Sequence, residues 1–153
     1  MRRVVGMIFI LLLMQQHVVH AQTPPSAQSA HGGRLTIRVV GVAHHQGQLI
    51  VNVFSKEDGF PADSQRALRS ITSPILNQNV RDVEISHLPT GQYAISVLHD
   101  ENANGHLDTN FLGIPKEPTG TSRNVKGHFG PPKFRDAVFA LGTEDIMLTI
   151  SLH

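Results

Sequence analysis

Apolar and polar residues alternate with period two in five separate runs of the chain. Leu35, Ile37 and Val39 face one way while Thr36 and Arg38 face the other. Leu49, Val51 and Val53 repeat the pattern, and Val83 and Ile85 alternate with Asp82, Glu84 and Ser86. Tyr93, Ile95 and Val97 alternate with Gln92, Ala94 and Ser96, and the last run places Ile146, Leu148, Ile150 and Leu152 on one side. Such runs, short and split by Gly, Pro and Asn, predict an antiparallel sandwich with one face of each sheet buried. Two weaker strands are expected at 70–75, where Pro74 demands an edge position, and at 136–141, with Phe139 and Leu141 on one face. Residues 61–68 predict one or two helical turns, with Pro61 at the first helical position. Pro89-Thr90-Gly91 marks a tight turn. The expected fold is all-β, a sandwich of about seven strands with no long helix.

One segment breaks this rhythm. Residues 100–133 carry Gly105, Gly113, Pro115, Pro118, Gly120, Gly127, Gly130, Pro131 and Pro132. Loops of that length inside a compact domain are functional or disordered. Phe111, Leu112, Ile114, Phe129 and Phe134 are spread along it, and five buriable side chains predict an ordered, packed excursion.

The ends add a destination. Arg2 and Arg3 precede an eleven-residue apolar run at 4–14, and Val19-His20-Ala21 supplies a signal-peptidase site before Gln22. Eleven residues reach only about 16 Å as a helix, half a bilayer core, so a signal peptide is expected over 1–21 and not a spanning segment. Residues 22–33, rich in Pro, Ser, Gln and Ala, form the expected flexible leader, and 34–153 the domain. An exported protein, periplasmic or secreted, follows. With 13 Lys and Arg against 12 Asp and Glu, two of the basic residues lying in the signal, the processed chain is near neutral. That balance offers no field for nucleic acid or an anionic membrane. The chain has no cysteine, which excludes a lipoprotein anchor and any disulfide, so burial must stabilise the fold.

The candidate chemistry sits at the start of the excursion. Read from Asp100, the stretch "DENANGHLD" places Asp100, Asn102 and Asn104 at positions 1, 3 and 5, Gly105 at 6, His106 at 7 and Asp108 at 9. These are the positions from which a calcium loop supplies oxygens, position 7 through its backbone carbonyl. Position 12, where an EF-hand has glutamate, is Phe111, and the stretch follows a strand. A closing carboxylate must then come from elsewhere: Glu117 is the nearest candidate and Asp136 a remoter one. With two carboxylates among the matched positions, calcium affinity is expected to be weak, roughly 10⁻⁴ to 10⁻³ M. An ion-free alternative stands beside this: Asn104-Gly105 is a strong turn signal, and Asp and Asn bond their own backbone in Asx-turns. A third alternative is a hydrolytic enzyme using the loop carboxylates with His99 as acid and base. No nucleophile elbow or phosphate cradle is readable, so catalysis is not expected. His44-His45, His99 and His106 are expected as exposed or strand-end residues without a transition metal.

The segments "LPTGQYAISVLHDENANGHLDTNFLGIPKEPTG" and "KGHFGPPKFRDAVFAL" resemble the bacterial exported family named domain of unknown function 2141, with likeness from about Arg34 to Leu152. The resemblance implies an exported β-sandwich without an assigned activity. Members carry an aromatic, a serine and a second asparagine after the glutamate, where this chain reads Pro118-Thr119-Gly120-Thr121-Ser122-Arg123-Asn124. The turn Leu-Pro-x-Gly-x-Tyr also resembles prealbumin-like, immunoglobulin-like and collagen-adhesin B-type sandwiches, some of which bind calcium in a similar loop. Transthyretin-like hydrolases end in Tyr-Arg-Gly-Ser, which is absent here. The expected function is therefore an exported interaction module for a cell-envelope protein or glycan, with a structural calcium loop.

Overall fold

The computed structural model describes residues 31–42, 44–75, 80–127 and 130–153. The expected signal peptide, 1–21, and most of the expected leader lie outside them. Among the described residues eight strands form two sheets. They are β1 (Leu35–Val40), β2 (Gln48–Phe54), β3 (Arg69–Pro74), β4 (Val80–Ile85), β5 (Gly91–Asp100), β6 (Thr119–Thr121), β7 (Phe139–Leu141) and β8 (Ile146–Ser151). One sheet runs β4-β1-β8; the other runs β3-β2-β5-β6, with β7 paired to the first residues of β5. The all-β sandwich expected from the alternation is present.

The alternation fixes the inner faces. Leu35, Ile37, Val39, Val83, Ile85 and Ile150 of the first sheet meet Leu49, Val51, Val53, Tyr93, Ile95 and Val97 of the second in one continuous core. Each fully buried side chain of this size contributes about 1.5–3 kcal/mol. The Tyr93 hydroxyl stays satisfied at the edge of this layer by donating to the Pro89 carbonyl, 2.8 Å away, which explains the Leu-Pro-x-Gly-x-Tyr spacing.

Four features depart from the expectation. First, β1 and β8 are parallel, although every other pairing is antiparallel. The first and last strands can neighbour each other this way because no short hairpin has to join them. Second, β2 and β5 are buried on both faces: Ile50, Asn52 and Phe54 pair across to Leu98, Ser96 and Ala94 on the side away from the core. Phe60 stacks edge-on against Phe54 at 5.4 Å, Phe134 against Phe60 at 5.8 Å, and the Ser96 hydroxyl donates to the Pro61 carbonyl at 2.7 Å. Third, the helical turn before β3 is a 3-10 turn, Ser64–Arg66, capped by the Asp63 side chain on Gln65 N–H. The turn begins at Ser64, after Pro61, so Pro61 is not the first helical residue. Fourth, the end of the expected leader is pinned: Gly32 and Gly33 donate backbone hydrogen bonds to the Leu88 and Gly142 carbonyls.

Side chains close the sandwich at its edges. Arg69 donates to the Ser86 carbonyl and Arg81 to the Ser73 hydroxyl, lacing β3 to β4 across the two sheets. On the other side, Thr119 and His153 exchange backbone hydrogen bonds, and Asn124 both accepts from Ser151 N–H and donates to the Thr149 carbonyl. Gly120 permits this approach, since a Cβ there would lie 2.7 Å from the Ile150 side chain and 2.8 Å from the Ser151 carbonyl.

The turn entering β2 sets the position of the loop that follows β5. Gly47 has φ +78°, and a Cβ on it would fall 2.1 Å from the Asp100 carbonyl oxygen. Both the dihedral and the space exclude a side chain. Gly47→Ala is therefore expected to lower unfolding free energy in urea by more than about 1 kcal/mol. A variant as stable as the parent would show that the two turns are not packed this closely.

Candidate functional site

Asp100 ends β5 on the outer face of its sheet, directly opposite Gln48. The residue is fully buried. An ionised carboxylate tolerates such a place only if donors meet its oxygens. Gln48 Nε2 donates to Oδ2 at 2.8 Å, Gly105 N–H to the same oxygen at 2.7 Å, and Asn104 N–H to Oδ1 at 3.1 Å. Burial alone would push the Asp100 carboxyl up. The bonds from Gln48 and from the backbone N–H groups of Gly105, Asn104 and Ala103 outweigh that and hold it below the ordinary carboxylate range.

The loop winds tightly to bring those N–H groups round. Ala103 has φ +58° and Gly105 φ +86°, and Asn104 N–H also bonds the Asn102 side-chain oxygen at 3.0 Å. His106 N–H repeats the turn on Asn104 Oδ1 at 3.0 Å, and the His106 ring approaches the Asn104 carbonyl at 3.1 Å. The amide nitrogens of Asn102 and Asn104 point to the Asp108 carboxylate, at 2.7 and 3.3 Å. Glu117, buried, reaches across from the returning chain before β6: one oxygen accepts Glu101 N–H and the other Asp108 N–H, each at 3.0 Å. All six candidate residues, Asp100, Asn102, Asn104, His106, Asp108 and Glu117, thus belong to one hydrogen-bonded web.

The donor set fits a hard dication only in part. Asp100 and Asp108 supply anionic oxygens, but both Glu117 oxygens hold backbone amides. The Asn side chains present nitrogen to the centre of the web. Among the described residues no group of three or more His, Asp or Glu is arranged to hold a metal ion. Asp136, the remoter closing candidate, is exposed on the short helix Phe134–Ala137 beside Arg135. His99 lies on the core face, fully buried, with Nε2 3.0 Å from the Gln46 carbonyl and no partner at Nδ1. His44 and His45 are exposed.

Beyond the web the chain forms a second, outer turn. Thr109 and Pro115 pair as a bridge, Lys116 N–H donates to the Asp108 carbonyl, and Asn110 and Gly113 close the turn through Asn110 N–H to Ile114 O and Gly113 N–H to Asn110 O, both 2.9 Å. The Asn110 side-chain oxygen accepts from Leu112 and Ile114 N–H. The apolar residues here were expected to pack, and they do not. Phe111 is 94% exposed, Leu112 68% and Ile114 54%. The turn holds its own backbone, so nothing draws these side chains inward. Phe129 lies outside the described residues, and Phe134 alone of the five packs in the aromatic stack.

Two side chains in the 118–124 stretch that fasten the backbone escaped the sequence reading. Ser122, fully buried, accepts Ile95 N–H at 2.9 Å and donates to the Ala137 carbonyl at 2.6 Å. Asn124, at φ +53°, caps the edge of β8.

The molecule is thus a two-sheet β-sandwich carrying a buried-carboxylate loop at one pole. The chain belongs to domain-of-unknown-function family 2141, described as "Uncharacterized protein conserved in bacteria", whose profile matches residues 37–149, well over half of its length. Neither a curated protein nor a solved structure matches the chain significantly.

The Asp100 carboxylate gives the site a pH signature. A carboxyl depressed in the folded state stabilises fully above its unfolded value of about 3.9 and loses that contribution as pH falls through the folded value. Asp100→Asn should cost about 2–3 kcal/mol at neutral pH, because hydrogen bonds to a buried charge are lost. It should also flatten the acid limb of stability against pH below about 4. Urea melts of parent and variant across that range check both; parallel acid limbs would remove Asp100 from the account.

Proposed function

We propose that this protein is an exported, non-enzymatic interaction module that presents the outer turn of its 100–117 loop to a component of the cell envelope. One observation carries this reading: three large apolar side chains stand in water on a turn whose backbone is already folded from below. Large exposed apolar clusters on soluble domains mark interaction sites. The groups that an enzyme would draw on are committed elsewhere. The Asp100 and Glu117 oxygens hold N–H groups, and the His99 ring is inside the core. The N-terminal signal pattern supports export.

Calcium is a second reading, favoured by the convergence of the Asp100, Asn102, Asn104 and Asp108 side chains. Binding would require both Asn amides to turn their oxygens inward, giving up two Asx-turn bonds. Weak affinity follows, and the ion's role would be to fasten the root of the loop. At a dissociation constant near 10⁻⁴ M, about 2 mM calcium adds about 1.8 kcal/mol, or a melting shift of about 5 °C. Melts with calcium and with chelator read this directly, and coincident curves leave the ion-free web as the working state.

The module reading has its own test. Hydrogen exchange on the chain without added metal should find Gly105, Asp108 and Ile114 amides protected. The protein recovered from a bacterial host should begin at Gln22 in the exported fraction. Unprotected amides, or retention of the whole chain in the cytosol, would overturn it.

A further inference from the structure

We propose that the outer turn, residues 110–115, inserts into the interfacial layer of a lipid surface, with Phe111, Leu112 and Ile114 passing below the headgroups. The proposal rests on the presenting-loop reading and adds the partner's chemistry. Its basis is the exposed apolar tip, the size of that patch and the charge at its foot. A segment entering an apolar phase must satisfy its own N–H and C=O groups, because no water is there to do so. This turn does so in part, which sets its depth: the side chains pass below the headgroups while the backbone stays at their level. The N–H groups of Asn110, Leu112, Gly113, Ile114 and Lys116 donate to loop acceptors and Pro115 has none, while the Phe111 N–H and the carbonyls of residues 111–113 are left to the hydrated headgroup layer.

Size and surroundings favour lipid over protein. Three side chains of this kind expose on the order of 400 Å², half of the roughly 800 Å² that each partner contributes to a stable protein interface. The other exposed large apolar residues, Leu68, Val80 and Met147, are on other segments and do not extend the patch. A bilayer requires no such extension; it accepts a convex tip of three residues as readily as a larger one. Electrostatics at the base are compatible. Lys116 is exposed at the foot of the turn and forms no ion pair among those of the described residues. The carboxylates of Asp108 and Glu117 are turned into the web, on Asn102, Asn104 and backbone N–H groups. The tip therefore meets headgroups with a cation outermost and its anions screened.

The experiment uses the whole chain and reads differences between variants, since the apolar run at 4–14 is common to all of them. The protein has no tryptophan, so Phe111→Trp installs a single probe at the tip. With phosphatidylcholine vesicles its emission should shift to the blue and be quenched by brominated lipid chains. Phe111→Asp should sediment with vesicles about tenfold less than the parent, the loss expected for one large aromatic. Adding phosphatidylglycerol should strengthen parental binding, and Lys116→Ala should remove that gain. Phe111 is almost wholly in water, so neither variant at 111 threatens the fold, and unchanged melting confirms this.

Emission indifferent to vesicles, with equal sedimentation of parent and Phe111→Asp, overturns the lipid proposal. So does a blue shift that grows with protein concentration in the absence of lipid, which would assign the tip to a second copy. So does a vesicle-independent shift on titration with a protein or glycan of the envelope. In any of these outcomes, amide protection in the 100–117 loop shows that the presenting platform survives and only the partner was misassigned. Unprotected amides would remove the platform itself.

Discussion

A carboxylate can remain charged inside a β-sandwich only where donors are brought to it, and the Asp100 web is the answer this chain gives. The strand that delivers Asp100 is buried on both faces, so the charge cannot turn toward water. Gln48 on the neighbouring strand supplies one donor; the loop itself must bend back to supply the rest. That demand dictates the left-handed residues at 103 and 105 and the close approach of the turn at Gly47. Glu117 then repeats the device from the returning chain, holding both sides of the loop through their N–H groups. The outer turn stands on this double anchor. Remove the buried charge and the turn loses its footing, though none of its own bonds are touched.

The same residues can read as a calcium loop and as an ion-free turn for a physical reason. Both arrangements need short oxygen-bearing side chains at alternate positions and a glycine where the chain doubles back. They differ in which end of each asparagine amide faces inward. Here the nitrogens do, and they donate hydrogen bonds to the Asp108 carboxylate where a cation would pair with it, without losing an ion's hydration. Glu117, the expected closing ligand, meets the loop's backbone instead. Sequence spacing alone could not separate these states, because it fixes where the oxygens are attached and not what they point at.

Alternation made the long strands legible. β1, β2, β4, β5 and β8 all carry a period-two apolar face, and Pro74 correctly consigned β3 to an edge. β6 was invisible because Thr119–Thr121 contains no apolar residue and owes its place to Gly120 and the neighbouring β8. The double burial of β2 had a trace in the sequence: Gln48–Phe54 reads as a nearly continuous apolar run rather than a strict alternation, as strands covered on both faces do. Apolar residues in the long loop misled, since Phe111 and Leu112 say only that burial would be favourable. Whether anything covers them depends on how the turn closes, and Asn110 closes it without them. Ser122 and Asn124 were unread because small polar residues in a loop have many uses, and only the neighbouring strand edges decide which.

The direction of β5 has a consequence for geometry at larger scale. The strand begins beside Leu141, close to where residues 31–33 join the domain, and runs ten residues to Asp100. At about 3.3 Å per residue that is a traverse of some 30 Å. The N-terminal entry and the apolar turn therefore occupy opposite poles of the sandwich. His153, bonded to Thr119, sits at the same pole as the turn. A tether at the front of the domain would hold it like a stalked probe, its greasy end outermost, whereas cargo appended to the tail would crowd that very end.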